Sequence, residues 1–99
     1  MRMLMKVSVP VEAGNKSIKE GLLPKTVTEF VDKMKPEACY WYAEGGKRTG
    51  IFIVDAKDPT LLPSMCEPFF MNLNASIDLT PVMNLDELKH GVEKAMKKG

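Results

Sequence analysis

The sequence predicts a single α+β domain over residues 1–99, with strands and helices in the order βαββαβ and one further helix at the end. Three observations support this order. Apolar and polar residues alternate near the start of the chain and again around residue 77. A Gly-Gly turn joins two apolar runs, and apolar residues at helical spacing fill the segments between the strands.

The first strand and the first helical segment follow from residue spacing. Met3–Val9 alternates, with methionines and valines on one face, which indicates a half-buried strand. Asn15 is the expected N-cap of a helix whose apolar positions recur as far as Met34. Because proline removes a hydrogen-bond donor, we expect a bend or break near Pro24 and the end of the helix at Pro36.

The segment Glu37–Asp55 is the most informative, because it is typical of a hairpin whose strands are apolar on both faces. If Gly45-Gly46 forms the centre of a tight turn, each residue of one strand has a fixed partner on the other. The expected pairs are Cys39 with Phe52, Tyr40 with Ile51, Trp41 with Gly50, and Tyr42 with Thr49. The predicted helices can cover one side of the sheet, so we expect a second copy of the chain to cover the other.

A second helical segment is expected to begin with Asp58 as N-cap and Pro59 at the first helical position. The residues expected on its apolar face are Leu61, Met65, Phe69 and Phe70. Pro63 and Pro68 interrupt this segment. They leave three alternatives open: a short helix, a kinked helix, or a helix that begins later than Asp58.

The last strand and the last helix complete the order. Asn74–Val82 alternates again, which predicts a fourth strand with one polar face. Asn84 and Glu87 form a capping-box pair ahead of the apolar residues of a terminal helix. The βαββαβ order is the ferredoxin-like arrangement, in which two crossover helices pack on one side of an antiparallel sheet.

Together these elements resemble the dimeric α+β barrel superfamily, and within it small proteins known only as a domain of unknown function. The resemblance spans nearly the whole chain and rests on four segments: Met3–Val9, the Trp41–Val54 hairpin, the Asp58-Pro59 helix start, and Ile77–Val82. It implies a homodimer in which two sheets pack face to face. This agrees with the separate argument from the two apolar hairpin faces.

Composition excludes several classes of partner. Lysine and arginine number 14 against 13 acidic residues, so we expect no nucleic-acid partner. The one notable basic cluster, Lys94, Lys97 and Lys98, lies at the end of the terminal helix, where cations favour the helix dipole. No segment approaches the ~20 apolar residues that span a bilayer, and no signal-peptide core follows the first residues. We therefore expect a cytoplasmic protein without a membrane partner.

Motifs for catalysis, metals and cofactors are incomplete in this sequence. Cys39 and Cys66 fit neither a zinc site nor a disulfide scaffold, and we interpret them as reduced core thiols. The GGKR loop at residues 45–48 lacks the length and the terminal GK[ST] of a phosphate-binding loop, so the turn explains its glycines. We expect no metal and no cofactor, and we assign no catalytic residue.

The candidate ligand-binding residues are the hairpin aromatics and two titratable side chains: Tyr40, Trp41, Tyr42, Asp78 and His90. Aromatic rings offer flat apolar walls, although consecutive strand positions point to both faces and at least one ring is expected in the core. The aspartate and the histidine could take part in acid-base chemistry. Simpler explanations are an ion pair between Asp78 and Lys6 on neighbouring strands, and a surface or interface histidine.

Two functions remain open. The favoured one is a small homodimeric protein that binds a ligand or serves an accessory role, without established catalysis. The alternative is a cofactor-independent enzyme, monooxygenase-like or isomerase-like, acting on a small aromatic or polyketide-like molecule; it rests on fold analogy. A pocket that encloses Asp78 or His90 with a tyrosine would favour the enzyme, and a hairpin face fully occupied by the dimer interface would favour the first function.

Overall fold

The computed structural model describes residues 1–97, so Lys98 of the predicted basic cluster and Gly99 lie outside the described residues. Four strands form one sheet: β1 (Arg2–Val9), β2 (Ala38–Glu44), β3 (Lys47–Asp55) and β4 (Ser76–Pro81). Four helices accompany them: α1 (Val11–Lys19), α2 (Leu22–Met34), α3 (Leu62–Leu73) and α4 (Leu85–Met96). The domain is α+β, as predicted, and its order is β-α-α-β-β-α-β-α.

The sheet has the strand order β2-β3-β1-β4, and each neighbouring pair is antiparallel. This is the strand order of the predicted βαββαβ arrangement, with two helices in the first crossover, where a helix with a bend or break near Pro24 was expected. The hairpin pairs are confirmed in register: Cys39 with Phe52, Tyr40 with Ile51, Trp41 with Gly50, and Tyr42 with Thr49. Gly45 and Gly46 both have positive φ, 61° and 77°, as the tight turn requires.

The hydrophobic core lies between the sheet and the helices α1, α2 and α3. On β1 every second residue is buried, from Met3 to Val9, which confirms the predicted half-buried strand. Three rings meet at the centre of the core. The Phe30 ring lies 4.8 Å from that of Phe52 and 5.1 Å from that of Phe69, both in edge-to-face geometry.

Two details of the first crossover differ from expectation. Asn15 does not cap a helix, because α1 begins directly after Pro10 and Asn15 lies inside it. The break falls at Gly21, which has φ 74°, whereas we expected it near Pro24. The proline is placed in the first turn of α2, where the backbone N–H groups have no partner within the helix, so its missing donor costs little. The second helix ends at Met34, before Pro36, as predicted.

The segment after β3 confirms Asp58 as an N-cap residue and decides between the three alternatives for the helix that follows. The Asp58 side chain accepts a hydrogen bond from the Thr60 backbone at 2.8 Å, and a 3₁₀ turn, Pro59–Leu61, leads into α3. The α-helix therefore begins later than Asp58 and carries Pro68 in its interior. Met65 and Phe69 are fully buried.

Helix α4 leaves the body of the domain. The predicted capping box is present, since Asn84 and Glu87 each accept a hydrogen bond from the other's backbone N–H. No residue of α4 is buried within the described chain. The radius of gyration is 15.9 Å, whereas a compact domain of this length has about 13 Å. The helix therefore presents its apolar stripe, defined as Leu85, Leu88, Val92 and Met96, to solvent, with each residue at least 45% exposed.

Trp41 lies directly over Gly50 on the helix-covered side of the sheet. A Cβ at position 50 would stand 2.7 Å from two atoms of the indole, closer than real contacts allow. The indole also meets Phe52 edge-on, with ring centroids 6.0 Å apart, and remains 36% exposed. Because position 50 is a glycine, the indole of Trp41 can pack directly on the backbone there, at the edge of the core.

We expect Gly50→Ala to lower the free energy of unfolding by about 1–3 kcal/mol, because the new methyl group displaces the indole from its place beside Phe52. In a Trp41→Ala background the same change should cost less than about 1 kcal/mol, since the clash is gone. Chemical denaturation of the four proteins measures both values. Equal costs of Gly50→Ala in the two backgrounds would show that the contact is unimportant.

Candidate functional site

The open face, defined as the side of the sheet turned away from α1, α2 and α3, carries two of the predicted aromatics. Strand register places Tyr40, Ile51, Lys6 and Asp78 in one row across β2, β3, β1 and β4. Tyr40 is 66% exposed. The neighbouring row contains Ile53 and Leu4, both half-buried. The open face thus has an apolar centre.

A polar trio borders this apolar centre. The Lys6 ammonium lies 2.5 Å from Oε2 of Glu44, and the Tyr42 hydroxyl donates a hydrogen bond of 2.7 Å to Oε1 of the same carboxylate. Lys6 and Asp78 are direct neighbours, as predicted, but the ion pair forms with Glu44 instead, and Asp78 adds attraction from further away. A long lysine side chain can reach over β3 to the hairpin end, which sequence spacing did not reveal.

The trio shifts the titration of its members in consistent directions. The hydrogen bond to Glu44 raises the pKa of Tyr42, and the hydrogen bond to the same carboxylate raises the pKa of Lys6. The hydrogen bonds from Lys6 and then from Tyr42 lower the pKa of Glu44. Tyr42 is therefore held as a neutral phenol, which makes it a poor base at neutral pH.

The hairpin-tip groove lies on the other side of the sheet, between the end of the hairpin and the helices α1 and α2. Its volume is about 610 Å³. Apolar surface comes from Val11, Leu23, Trp41 and Ala43. A concave site with an aromatic wall and a few polar groups is the usual form of a small-molecule site.

One guanidinium and one amide supply the polar side-chain lining of the groove. Arg48 donates from Nη1 to Oδ1 of Asn15 at 3.1 Å, whereas Lys47 borders the groove but lies opposite Glu44, on the open-face side of β3. Gly14 makes room for the guanidinium, because a Cβ at that position would stand 2.6 Å from Nη1. Within residues 1–97 neither Arg48 nor Lys47 forms an ion pair.

The five residues proposed from sequence do not form one cluster. Trp41 and Tyr42 line the hairpin-tip groove, although the Tyr42 hydroxyl is bound to Glu44 on the open face. Asp78 is on β4, three strand spacings or roughly 14 Å from β2. His90 is exposed on α4. Their role in ligand binding stays a prediction.

Sequence reasoning missed the polar half of the groove. Arg48 lies opposite Ala43 and therefore on the same side as Trp41, which could have been counted from the Gly-Gly turn. Asn15 was interpreted as a cap, and its contact with Arg48 joins residues 33 positions apart. No local sequence pattern predicts a contact between residues so far apart in the chain.

Both thiols are poorly suited to nucleophilic chemistry. Cys39 is half-buried and Cys66 buried, and burial raises the pKa of each thiol. A thiol whose pKa is raised contains little of the reactive thiolate at neutral pH. In the part of the chain that the structure describes, no three His, Cys, Asp or Glu side chains converge as metal ligands would. Among the same residues, no helix has the length and apolar character required to cross a membrane.

We expect the alkaline titration of Tyr42 to depend on Glu44. In a Tyr40→Phe background the phenolate absorbance reports Tyr42 alone, and Glu44→Gln should lower the pKa of Tyr42 toward its ordinary value. The raised pKa also means that the hydrogen bond from Tyr42 to Glu44 contributes stability below the ordinary pKa of tyrosine and loses it as pH rises through the raised one. An unchanged Tyr42 titration in Glu44→Gln would contradict the trio.

Comparison with known proteins gives a family without an assigned activity. No curated protein matches the chain. Residues 1–96 match the family model described as "Domain of unknown function (DUF3303)". The match covers nearly the whole chain and confirms the resemblance to a domain of unknown function that the sequence suggested. The chain belongs to this family.

Proposed function

We propose that the protein is a homodimer that binds a small molecule in each hairpin-tip groove and has no catalytic activity of its own. The groove carries the binding proposal. It combines an indole wall with an Arg48 guanidinium that forms no ion pair within the described residues, and neither Asp78 nor His90 is among its lining residues. A site without a positioned acid or base favours binding over the enzyme alternative.

The open face supports the dimer. Leu4, Ile51, Ile53 and Tyr40 form a partly exposed apolar centre on a sheet whose other side is already covered by helices. Packing this centre against its equivalent in a second copy would bury it by two-fold symmetry. Two sheets packed in this way would form the dimeric α+β barrel expected from the sequence.

The α4 stripe supports the same partner. A short amphipathic helix with an exposed apolar face gains little stability by itself, because most helical stability in proteins comes from packing. The capping box fixes the start of α4, and an ion pair from Arg2 to Glu87 ties this first turn to β1. We propose that the α4 stripe packs on the second copy.

We expect the protein to have about twice its chain mass of 11.1 kDa in light scattering at micromolar concentration. Tyr40→Glu and Val92→Glu each place a charge on a proposed contact surface and should shift the protein toward the monomer. Met71→Glu is the matched control, because Met71 is 80% exposed on α3 and lies on neither surface. A wild-type monomer would refute the dimer, and an equal effect of the control would refute the chosen surfaces.

We expect small aromatic molecules to bind in the hairpin-tip groove. The chain has one tryptophan, so its single indole N–H resonance reports on the groove directly in NMR spectra. Binding should shift this resonance together with the backbone amide of Gly46. Ala43→Phe fills the groove without adding a second indole and should abolish these shifts, whereas His90→Ala should leave them unchanged. Shifts confined to the open face or to α4 would contradict this placement.

A further inference from the structure

The charge of the hairpin-tip groove is unbalanced. Arg48 lies on the groove side of the sheet, Lys47 borders the groove from the open-face side, and no carboxylate is among the lining residues. Within the described residues, the ion pairs of the chain involve other cations: the N-terminus, Arg2, Lys6 and Lys25. A guanidinium without a carboxylate partner, next to a concave apolar surface, favours an anionic occupant.

The position of Arg48 leaves part of its guanidinium available to bind a ligand. Its Nη1 is fixed by Asn15 at 3.1 Å and fits into the space beside Gly14. A guanidinium has five N–H donors in a rigid plane, and the amide of Asn15 accepts from one nitrogen. The remaining donors can bind a planar anion through two parallel hydrogen bonds.

The rest of the lining sets the shape of the occupant. Trp41 supplies an aromatic wall whose position is fixed over Gly50 and against Phe52. Val11, Leu23 and Ala43 extend this wall with aliphatic surface. A ring packed on the indole would bury apolar area that a hydrated inorganic anion cannot.

We infer that the ligand of the groove is a small aromatic carboxylate, with its ring on Trp41 and its carboxylate on Arg48. The inference rests on the proposed binding function and deepens it by naming the ligand class. An aromatic carboxylate suits this site better than inorganic phosphate, because both anions match an arginine fork but only the aromatic acid also covers the indole.

The test uses a matched pair of probes, 4-tert-butylbenzoate and its neutral carboxamide, which share the ring and differ in charge. The Trp41 indole resonance gives the Kd of each. We expect the carboxylate to bind at least about tenfold tighter than the carboxamide, as charge-assisted hydrogen bonds imply. Inorganic phosphate, which has charge but no ring, should bind more weakly than the carboxylate.

Variants of Arg48 test whether this side chain causes the preference for the carboxylate over the carboxamide. Arg48→Gln should reduce the ratio of the two Kd values to near one, and Arg48→Lys, which keeps the charge but loses the fork, should give an intermediate ratio. Lys19→Gln removes the same charge from the exposed end of α1 and should leave the ratio unchanged. Melting temperatures show whether each variant is folded, and the arginine variants are compared only if they are.

The outcomes separate this inference from the function on which it rests. Equal Kd values for the two probes, or equal binding of phosphate, would overturn the carboxylate class and leave small-molecule binding standing. A ratio that survives both arginine variants would overturn the role of Arg48. If neither probe shifts the indole resonance, the inference is wrong; if a broad panel of neutral aromatics also fails, the binding function is wrong too.

Discussion

The two-residue turn at Gly45-Gly46 determines which side chains meet in this protein. Because both glycines have positive φ, two residues are enough to connect the strands. This fixes every residue pair between β2 and β3. A shift of one residue would move Trp41 away from Gly50 and to the other face of the sheet. The core edge, the hairpin-tip groove and the polar trio all depend on this register.

Trp41 connects the stability of the domain to the groove. One edge of the indole closes the core beside Phe52, while the exposed part of the ring forms the groove wall. A ring fixed by the core is preorganised for a ligand, so little conformational entropy is lost when a ligand packs on it. The same arrangement means that changes meant to alter binding at this position also alter folding.

Short-range patterns predicted most of the fold, because strand alternation, the turn and the caps at Asp58 and Asn84 are local properties of the chain. The two wrong predictions, the helix start at Asn15 and the break near Pro24, arose where another residue close by determined the helix boundary. Asn15 is a good cap residue, but β1 ends at Val9 and α1 already begins at Val11, with Pro10 in the N-cap position. The first helix ends before Gly21, so Pro24 lies in the first turn of α2 and does not bend a continuous helix. The site was harder to predict, because Arg48 with Asn15 and Lys6 with Glu44 meet through side-chain reach across the fold.

Gly14 illustrates how a site can restrict sequence variation without contributing to stability. Alanine is a better helix former than glycine, and the group it would displace is the far end of a long side chain, the Arg48 guanidinium, and not the backbone. Folding therefore gives no reason to keep a glycine at position 14 of α1. If the position of the guanidinium matters, relatives that retain arginine at 48 should retain glycine at 14, and relatives that lost the arginine should be free to vary there. Covariation of these two positions across the family would thus be a record of selection on the groove, separate from selection on the fold.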